Sequence, residues 1–151
     1  RASRGMSAAV LLPGPHRLEA QLDAGRLPVR AAGGYLLEPN GAVIRARALN
    51  RIDPQAWLLD PEVAYLSTDH PVASPFASCF EVLQTLDAGE KTLRAWVRDN
   101  RGGVLEIKKR ALDVDPAALR RRLKLSGPNQ ATLILARTVA GARAFVVRRV
   151  P

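Results

Sequence analysis

From Phe76 onward the apolar residues change period in a fixed order, and that order constrains the fold more than any other feature of the chain. Over 79–86, strict alternation puts Phe80, Val82 and Gln84 on one side and Glu81, Leu83 and Thr85 on the other, the period of a β-strand. Over 90–101, Leu93, Trp96 and Val97 fall at i, i+3 and i+4 and predict a helix, which Gly102-Gly103 is expected to end. Residues 104–110 return to alternation. Asp115 followed by Pro116 is a capped start with proline at the first helical position, so a helix is expected over 116–124. Ser126-Gly127-Pro128-Asn129 breaks the chain, and 131–139 and 142–149 flank Ala140-Gly141 as a hairpin. The order β-α-β-α-β-β implies an α+β or α/β sandwich with helices on at least one sheet face.

The upstream half is less regular. Residues 7–12 (SAAVLL) and 16–21 (HRLEAQ) read as two short strands separated by Pro13-Gly14-Pro15, and 22–33 as loop. Gly34–Glu38 is a short extended piece stopped by Pro39. Asn40 is an N-cap candidate for a helix over 41–50, with Val43, Ile44 and Leu49 as its apolar stripe. Asp53-Pro54 repeats the cap-then-proline pattern and predicts a short helical turn through Leu58 and Leu59. Val63–Leu66 reads as a strand. The polar, proline-containing stretch 67–75 is the expected internal boundary, with the region 34–73 as a short strand and helix linker before a domain over 74–151.

Charge is unevenly placed. The chain carries a net charge of +9. Residues 1–90 balance to −2 and residues 91–151 to +11, an asymmetry that suggests either a polyanionic partner for the C-terminal part or a basic surface of no specific use. With 47% hydrophobic and 25% charged residues, the composition is that of a folded globular chain and argues against disorder. No apolar run approaches the roughly 20 residues a spanning helix needs, and no signal-peptide pattern opens the chain, so a cytoplasmic location without membrane association is expected. The first residue is Arg1, which fits a fragment or a processed product of a longer protein.

Catalytic searches of the sequence find no centre. His16 and His70 lack a recognisable nucleophile partner, and both read as surface or loop residues. The single Cys79 lies inside an apolar strand, where a small buried side chain is the usual explanation, and it has no metal-ligating neighbour at suitable spacing. Asp113 and Asp115 read as helix-entry residues. Gly33-Gly34 and Gly102-Gly103 make no phosphate-cradling loop. Catalytic, cofactor-binding and metal-binding residues are therefore all expected to be absent from this stretch.

The stretch 104–125, VLEIKKRALDVDPAALRRRLKL, carries two basic clusters. In its strand, Leu105 and Ile107 share one face and Glu106, Lys108 and Arg110 the other. Lys109 falls on the Leu105 side and is expected to snorkel out at the end of the core. In its helix, Leu119 and Leu123 define the buried stripe, and at ~100° per residue Arg120, Arg121, Arg122 and Lys124 fan around the exposed surface. Cations near a helix C-terminus are also favoured by the helix dipole, by about 0.3–1 kcal/mol, which explains part of the basicity without any ligand. Arg94, Arg98 and Arg101 add a basic helix flank, and Arg137, Arg143, Arg148 and Arg149 add charge on the hairpin. Trp96, Phe76, Phe80 and Phe145 fit core positions, so a base-stacking platform is not expected. Any nucleic acid would be read through backbone and shape, with strong salt dependence.

The stretches YLLEPNGAVIRA (35–46), VAYLSTDHPVASPF (63–76), LEIKKRALDVDPAALRRRLKL (105–125) and ATLILARTVAGARAFVVRR (131–149) resemble the C-terminal, THUMP-like part of a bacterial family of class I SAM-dependent methyltransferases. The resemblance implies a THUMP-like domain over 74–151 and makes 1–33 the remnant of an upstream methyltransferase domain. It implies SAM as cofactor of the parent protein but not of this stretch, which lacks the SAM-binding segment. It also implies a targeting role, since THUMP domains accompany RNA-modifying enzymes and deliver structured RNA, such as tRNA or rRNA, to a neighbouring catalytic site. Lys108, Lys109, Arg110, Arg120, Arg121, Arg122 and Lys124 are then the expected RNA contacts. The rival expectation is a packing or dimerisation module that clamps the methyltransferase domain or a second copy, its basic surface incidental.

Overall fold

A computed structural model describes residues 27–151 in full and the backbone of 6–10 and 17–21. Strands β1 (Met6–Val10) and β2 (Arg17–Gln21) pair antiparallel, with Met6 opposite Gln21. The expected breaker Pro13-Gly14-Pro15, together with His16 and 22–26, lies outside the described residues. So do residues 1–5, 11 and 12 of the 1–33 segment read as a domain remnant.

Seven further strands make one sheet. They are β3 (Tyr35–Pro39), β4 (Trp57–Asp60), β5 (Val63–Thr68), β6 (Ala77–Asp87), β7 (Gly102–Arg110), β8 (Asn129–Thr138) and β9 (Gly141–Val150). Their order across the sheet is β4-β5-β3-β6-β9-β8-β7. Helices α1 (Gly41–Arg45), α2 (Glu90–Asp99) and α3 (Pro116–Arg122), with a 3-10 turn at Leu49–Arg51, connect them. From β6 to β9 the expected β-α-β-α-β-β order is present. Helix α3 joins β7 to β8, which run parallel, as a strand–helix–strand crossover requires.

Two apolar layers flank the sheet. On one face Leu93 and Val97 of α2 and Leu119 and Leu123 of α3 pack on Leu105, Ile107, Leu133, Leu135, Ala144 and Val146. On the other face Phe80, Ile134, Phe145 and Val147 meet Leu36, Leu59, Val63 and Tyr65 from the upstream strands. The sheet therefore curls until β4 reaches the far strand β8. The Val139 N–H donates to the Leu59 carbonyl at 2.7 Å, and Arg137 reaches both carboxylate oxygens of Asp60 at 3.3 Å. Residues 35–68 thus supply the cover for the second face of the C-terminal unit.

Four local expectations are corrected. Asp53 opens only a single turn, accepting the Ala56 N–H at its carbonyl at 3.2 Å, and not one that runs on through Leu58 and Leu59. Its carboxylate accepts the Gln55 N–H at 2.8 Å, closing an Asx-turn, and 57–60 are extended because Trp57 and Leu58 pair with Ser67 and Leu66 of β5. The helix expected over 41–50 ends at Arg45, and a left-handed Arg47 (φ 54°) redirects the chain into the 3-10 turn. Val43 is buried there, whereas Ile44 is 38% exposed. Helix α2 ends at Asp99 and its left-handed closing residue is Arg101 (φ 54°), so Gly102-Gly103 opens β7 and does not end the helix. Gly103 is required for contact: a Cβ there would run into the carbonyl of Gly127. A register shift between Val82 and Gln84 breaks the alternation expected in β6, leaving Leu83 54% exposed.

Candidate nucleic-acid interface

The basic clusters of 104–125 separate in three dimensions. Strand alternation holds in β7: Leu105 and Ile107 are buried under the helices, Lys108 and Arg110 point to the opposite face, and Lys109 is exposed at the strand end. On that opposite face Lys108 and Arg110 converge on one carboxylate. The Lys108 Nζ lies 3.5 Å from Glu38 Oε1 and the Arg110 guanidinium 3.3 Å from Glu38 Oε2. The Tyr65 hydroxyl donates to the same Oε2 at 3.3 Å. Burial, reinforced by the Glu38 charge, pushes the Tyr65 hydroxyl well above the ordinary tyrosine value. Lys108 and Arg110 also lie over the rings of Phe80 and Tyr65, at 5.6 and 5.4 Å from the centroids. These two cations brace β7 against the upstream strand β3.

The helical cations divide again. The Asp115 carboxylate caps α3 by accepting the Ala117 N–H at 3.0 Å, with Pro116 at the first position, as the sequence pattern requires. Arg122 stays exposed but is paired: its Nε lies 2.5 Å from Glu90 Oε1 and ties α3 to the start of α2. Arg94 holds the other oxygen of Glu90 at 2.8 Å. The Arg122 hydrogen bond, and then the two guanidinium charges, hold the Glu90 carboxyl below the ordinary glutamate value. Lys109, Arg120, Arg121 and Lys124 make no ion pair with a carboxylate among the described residues.

The hairpin arginines are mostly engaged. Arg137 holds Asp60 and, at 3.4 Å, Glu62. The Glu62 backbone N–H, and then Arg137, keep the Asp60 carboxyl below its ordinary value. Arg148 pairs with Glu81, and Arg143 lies 3.9 Å from Asp87. Their charge closes the sheet and contributes less to an open basic surface than composition suggests.

A further grouping stands beside the expected one. Arg94 and Arg98 lie ~40° apart around α2 at ~100° per residue, Arg101 follows two residues after the helix ends, and that end faces Lys124 across a cleft of about 480 Å³. The 94, 98, 101 spacing was visible in the sequence, but only the packing of α2 beside α3 brings Lys124 to it. A larger open groove, about 720 Å³, runs along the other end of the sheet past Leu83, Gln84, Trp96, Val104, Arg148 and Arg149. Val104 is 64% exposed in it, and Trp96 donates its indole N–H to Gln84 at 3.0 Å.

Residues that could serve chemistry have structural partners. His70 bonds Asp53 at 3.1 Å and pins the Asx-turn to the 69–76 connector. Cys79 is buried against Leu37 and Leu66. Among the described residues no three His, Cys, Asp or Glu side chains gather as metal ligands, and no helix is long and apolar enough to cross a membrane.

Comparison with known proteins agrees with this architecture. Residues 77–149 match the family model described as THUMP domain-like. Two proteins of Mycobacterium tuberculosis, from strains CDC 1551 and H37Rv, are 38% identical over 120 residues, covering 78% of this chain, and each is named an uncharacterized S-adenosylmethionine-dependent methyltransferase. The matched stretch is 33% of their length, so the chain spans about a third of these relatives. A crystal structure from Porphyromonas gingivalis W83, whose name carries a provisional methyltransferase assignment, superposes over 93% of this chain and 36% of its own, with a TM-score of 0.71 at 18% identity. The superposition reaches past the 77–149 unit into the upstream strands that complete the sheet. Residues 77–149 are a THUMP-like domain, and the chain that carries them is related to about a third of the length of proteins named S-adenosylmethionine-dependent methyltransferases.

Proposed function

We propose that this chain is the non-catalytic, RNA-presenting region of a cytoplasmic SAM-dependent methyltransferase, and that it holds structured RNA, such as tRNA or rRNA, for the methyltransferase domain. The observation that carries the reading is the set of cations on the helical side, Lys109, Arg120, Arg121 and Lys124, that no described carboxylate neutralises. Clustered charge without a partner repels itself, and phosphate relieves it. The family match supports RNA as the polyanion, and the methyltransferase names of the relatives support SAM as the parent protein's cofactor. Lys108, Arg110 and Arg122, expected contacts on sequence grounds, stand second because Glu38 and Glu90 already hold them.

The test is binding of fluorescent bulk tRNA to the full chain across ~50–200 mM salt. A steep log–log slope that falls by about 0.7–0.9 for each of Arg120→Ser and Arg121→Ser is expected, one counterion equivalent per phosphate contact. Absence of binding at the lowest salt sinks the reading. A second reading draws on the exposed Val104 and Leu83 in the larger groove: packing against another domain or another copy. Concentration-dependent self-association of a chain that ignores RNA is the outcome that favours it.

A further inference from the structure

We infer that the cleft between the end of α2 and the turn after α3 is a seat for a single phosphate group, held by Arg101 and Lys124 and flanked by Arg94 and Arg98. The inference rests on the RNA-binding reading and deepens it, selecting one concave position out of a broad basic face. Three observations carry it.

The first is shape. The cleft is about 480 Å³, within the range of small-ligand sites, with Val97 and Leu123 beneath it and Ser126-Gly127 as one wall. It has room for a phosphate and the adjoining ribose. The second is charge. Arg94 is offset by Glu90 and Arg98 by Asp99, at 2.8 and 3.2 Å, whereas neither Arg101 nor Lys124 has a carboxylate partner among the described residues. Two full charges therefore remain in the cleft, against the fractional negative charge of two helix C-termini.

The third is backbone conformation. Arg101 (φ 54°) and Lys124 (φ 56°) each close a helix in the left-handed region, where a Cβ is disfavoured and glycine is the usual residue. Helix-dipole compensation does not require a cation at either position. Arg98 already occupies the last turn of α2, and Arg120, Arg121 and Arg122 that of α3. Two strained positions, remote in sequence, both carry a long cation and both line one cleft. Ala111 (φ 59°) adopts the same backbone with no polar side chain, so it is the meeting of two such cations at one cleft, and not the strain alone, that points to a ligand. Arg47 shares the geometry at the end of α1 but does not line the cleft, and so provides a control.

The ligand chemistry is a phosphoryl oxyanion, either a terminal phosphomonoester or an internal phosphodiester. The test is amide NMR of the full chain titrated with inorganic phosphate at low salt, then with one single-stranded RNA oligonucleotide in 5′-phosphorylated and 5′-hydroxyl forms. Shifts around Arg101 and Gly127 should saturate in the parent and in Arg47→Gly. In the double variant R101G/K124G they should weaken at least about tenfold, as two charge-assisted contacts are lost. Glycine relieves the left-handed backbone, so the melting temperature of the double variant should be no lower than the parent's. Tighter binding of the 5′-phosphorylated oligonucleotide supports a terminal phosphate, and equal binding an internal one. Phosphate shifts that scatter over the surface, or that persist in R101G/K124G, overturn the seat. RNA binding that needs Arg120 and Arg121 but ignores R101G/K124G overturns the seat alone. Phosphate seating by a chain that does not bind RNA supports the seat and sinks the RNA reading.

Discussion

Replacing Glu38 by alanine should destabilise the fold by about 2–4 kcal/mol, and the size follows from what this one carboxylate holds. Its side chain is 20% exposed. Tyr65 is fully buried, and loss of its acceptor leaves a hydroxyl unpaired, which costs about 1–3 kcal/mol. The pairs to Lys108 and Arg110 are screened, because those side chains are partly exposed, and contribute at most about 1 kcal/mol each. Without Glu38 the two cations also face each other on one strand, two residues apart. Glu38→Gln keeps an acceptor for Tyr65 and should lose only about 1 kcal/mol. For a chain of this length 1 kcal/mol moves the melting temperature by about 2–4 °C, so the alanine variant should melt roughly 5–15 °C lower. Urea unfolding followed by the fluorescence of Trp57 and Trp96 measures the difference directly. A companion variant, Lys108→Met, should reduce stability while leaving the salt slope of tRNA binding unchanged. A loss below about 0.5 kcal/mol in Glu38→Ala, the range of ordinary surface changes, would refute the bracing role. So would an RNA defect in Lys108→Met that matches Arg121→Ser.

Gly103→Ala should lose about 1–3 kcal/mol, because its Cβ meets the backbone carbonyl of Gly127 and the 126–128 turn must shift; unchanged denaturant unfolding shows that the turn yields freely. That turn walls the cleft, so phosphate shifts at Gly127 should weaken in the same variant. Glu90 supplies a pH dependence of definite sign. Its carboxyl is held below the ordinary value of 4.5 by Arg122 and Arg94, so its stabilisation is complete above that pH and is lost as pH falls through the lower folded value. Acid unfolding of Glu90→Gln should therefore start from lower stability at neutral pH and fall less steeply below pH 4.5, and parallel acid profiles of variant and parent contradict the assignment.

The elements from Phe76 onward were legible because each is encoded by local contacts. Asp115-Pro116 caps and opens α3 with no help from elsewhere, and the Leu93/Val97 and Leu119/Leu123 stripes name the buried sides of both helices. Legibility failed where a distant strand competes with a local signal. Asp53-Pro54 looks like a helix start, but Trp57 and Leu58 gain more from pairing with β5 than from another turn. Gly102-Gly103 looks like a helix end, but its absent side chains are needed against Gly127. The candidate site was half legible. Exposure of Arg121 follows from the helical period, whereas the engagement of Lys108 and Arg110 depends on Glu38, about 70 residues upstream.

The amino-acid sequence alone determined the order of strands and helices in the C-terminal unit, the buried face of each, and the concentration of positive charge in residues 91–151. Alternation, helical period and capping are properties of neighbours in the chain, and they survive whatever the chain does later. Tertiary structure alone decided that residues 35–68 curl over the second sheet face. It also decided which cations are free. An ion pair depends on distance in space, so Glu38 and Glu90 neutralise three of the seven expected contacts. The docking of α2 beside α3 brings Arg101 and Lys124, 23 positions apart, to the walls of one cleft.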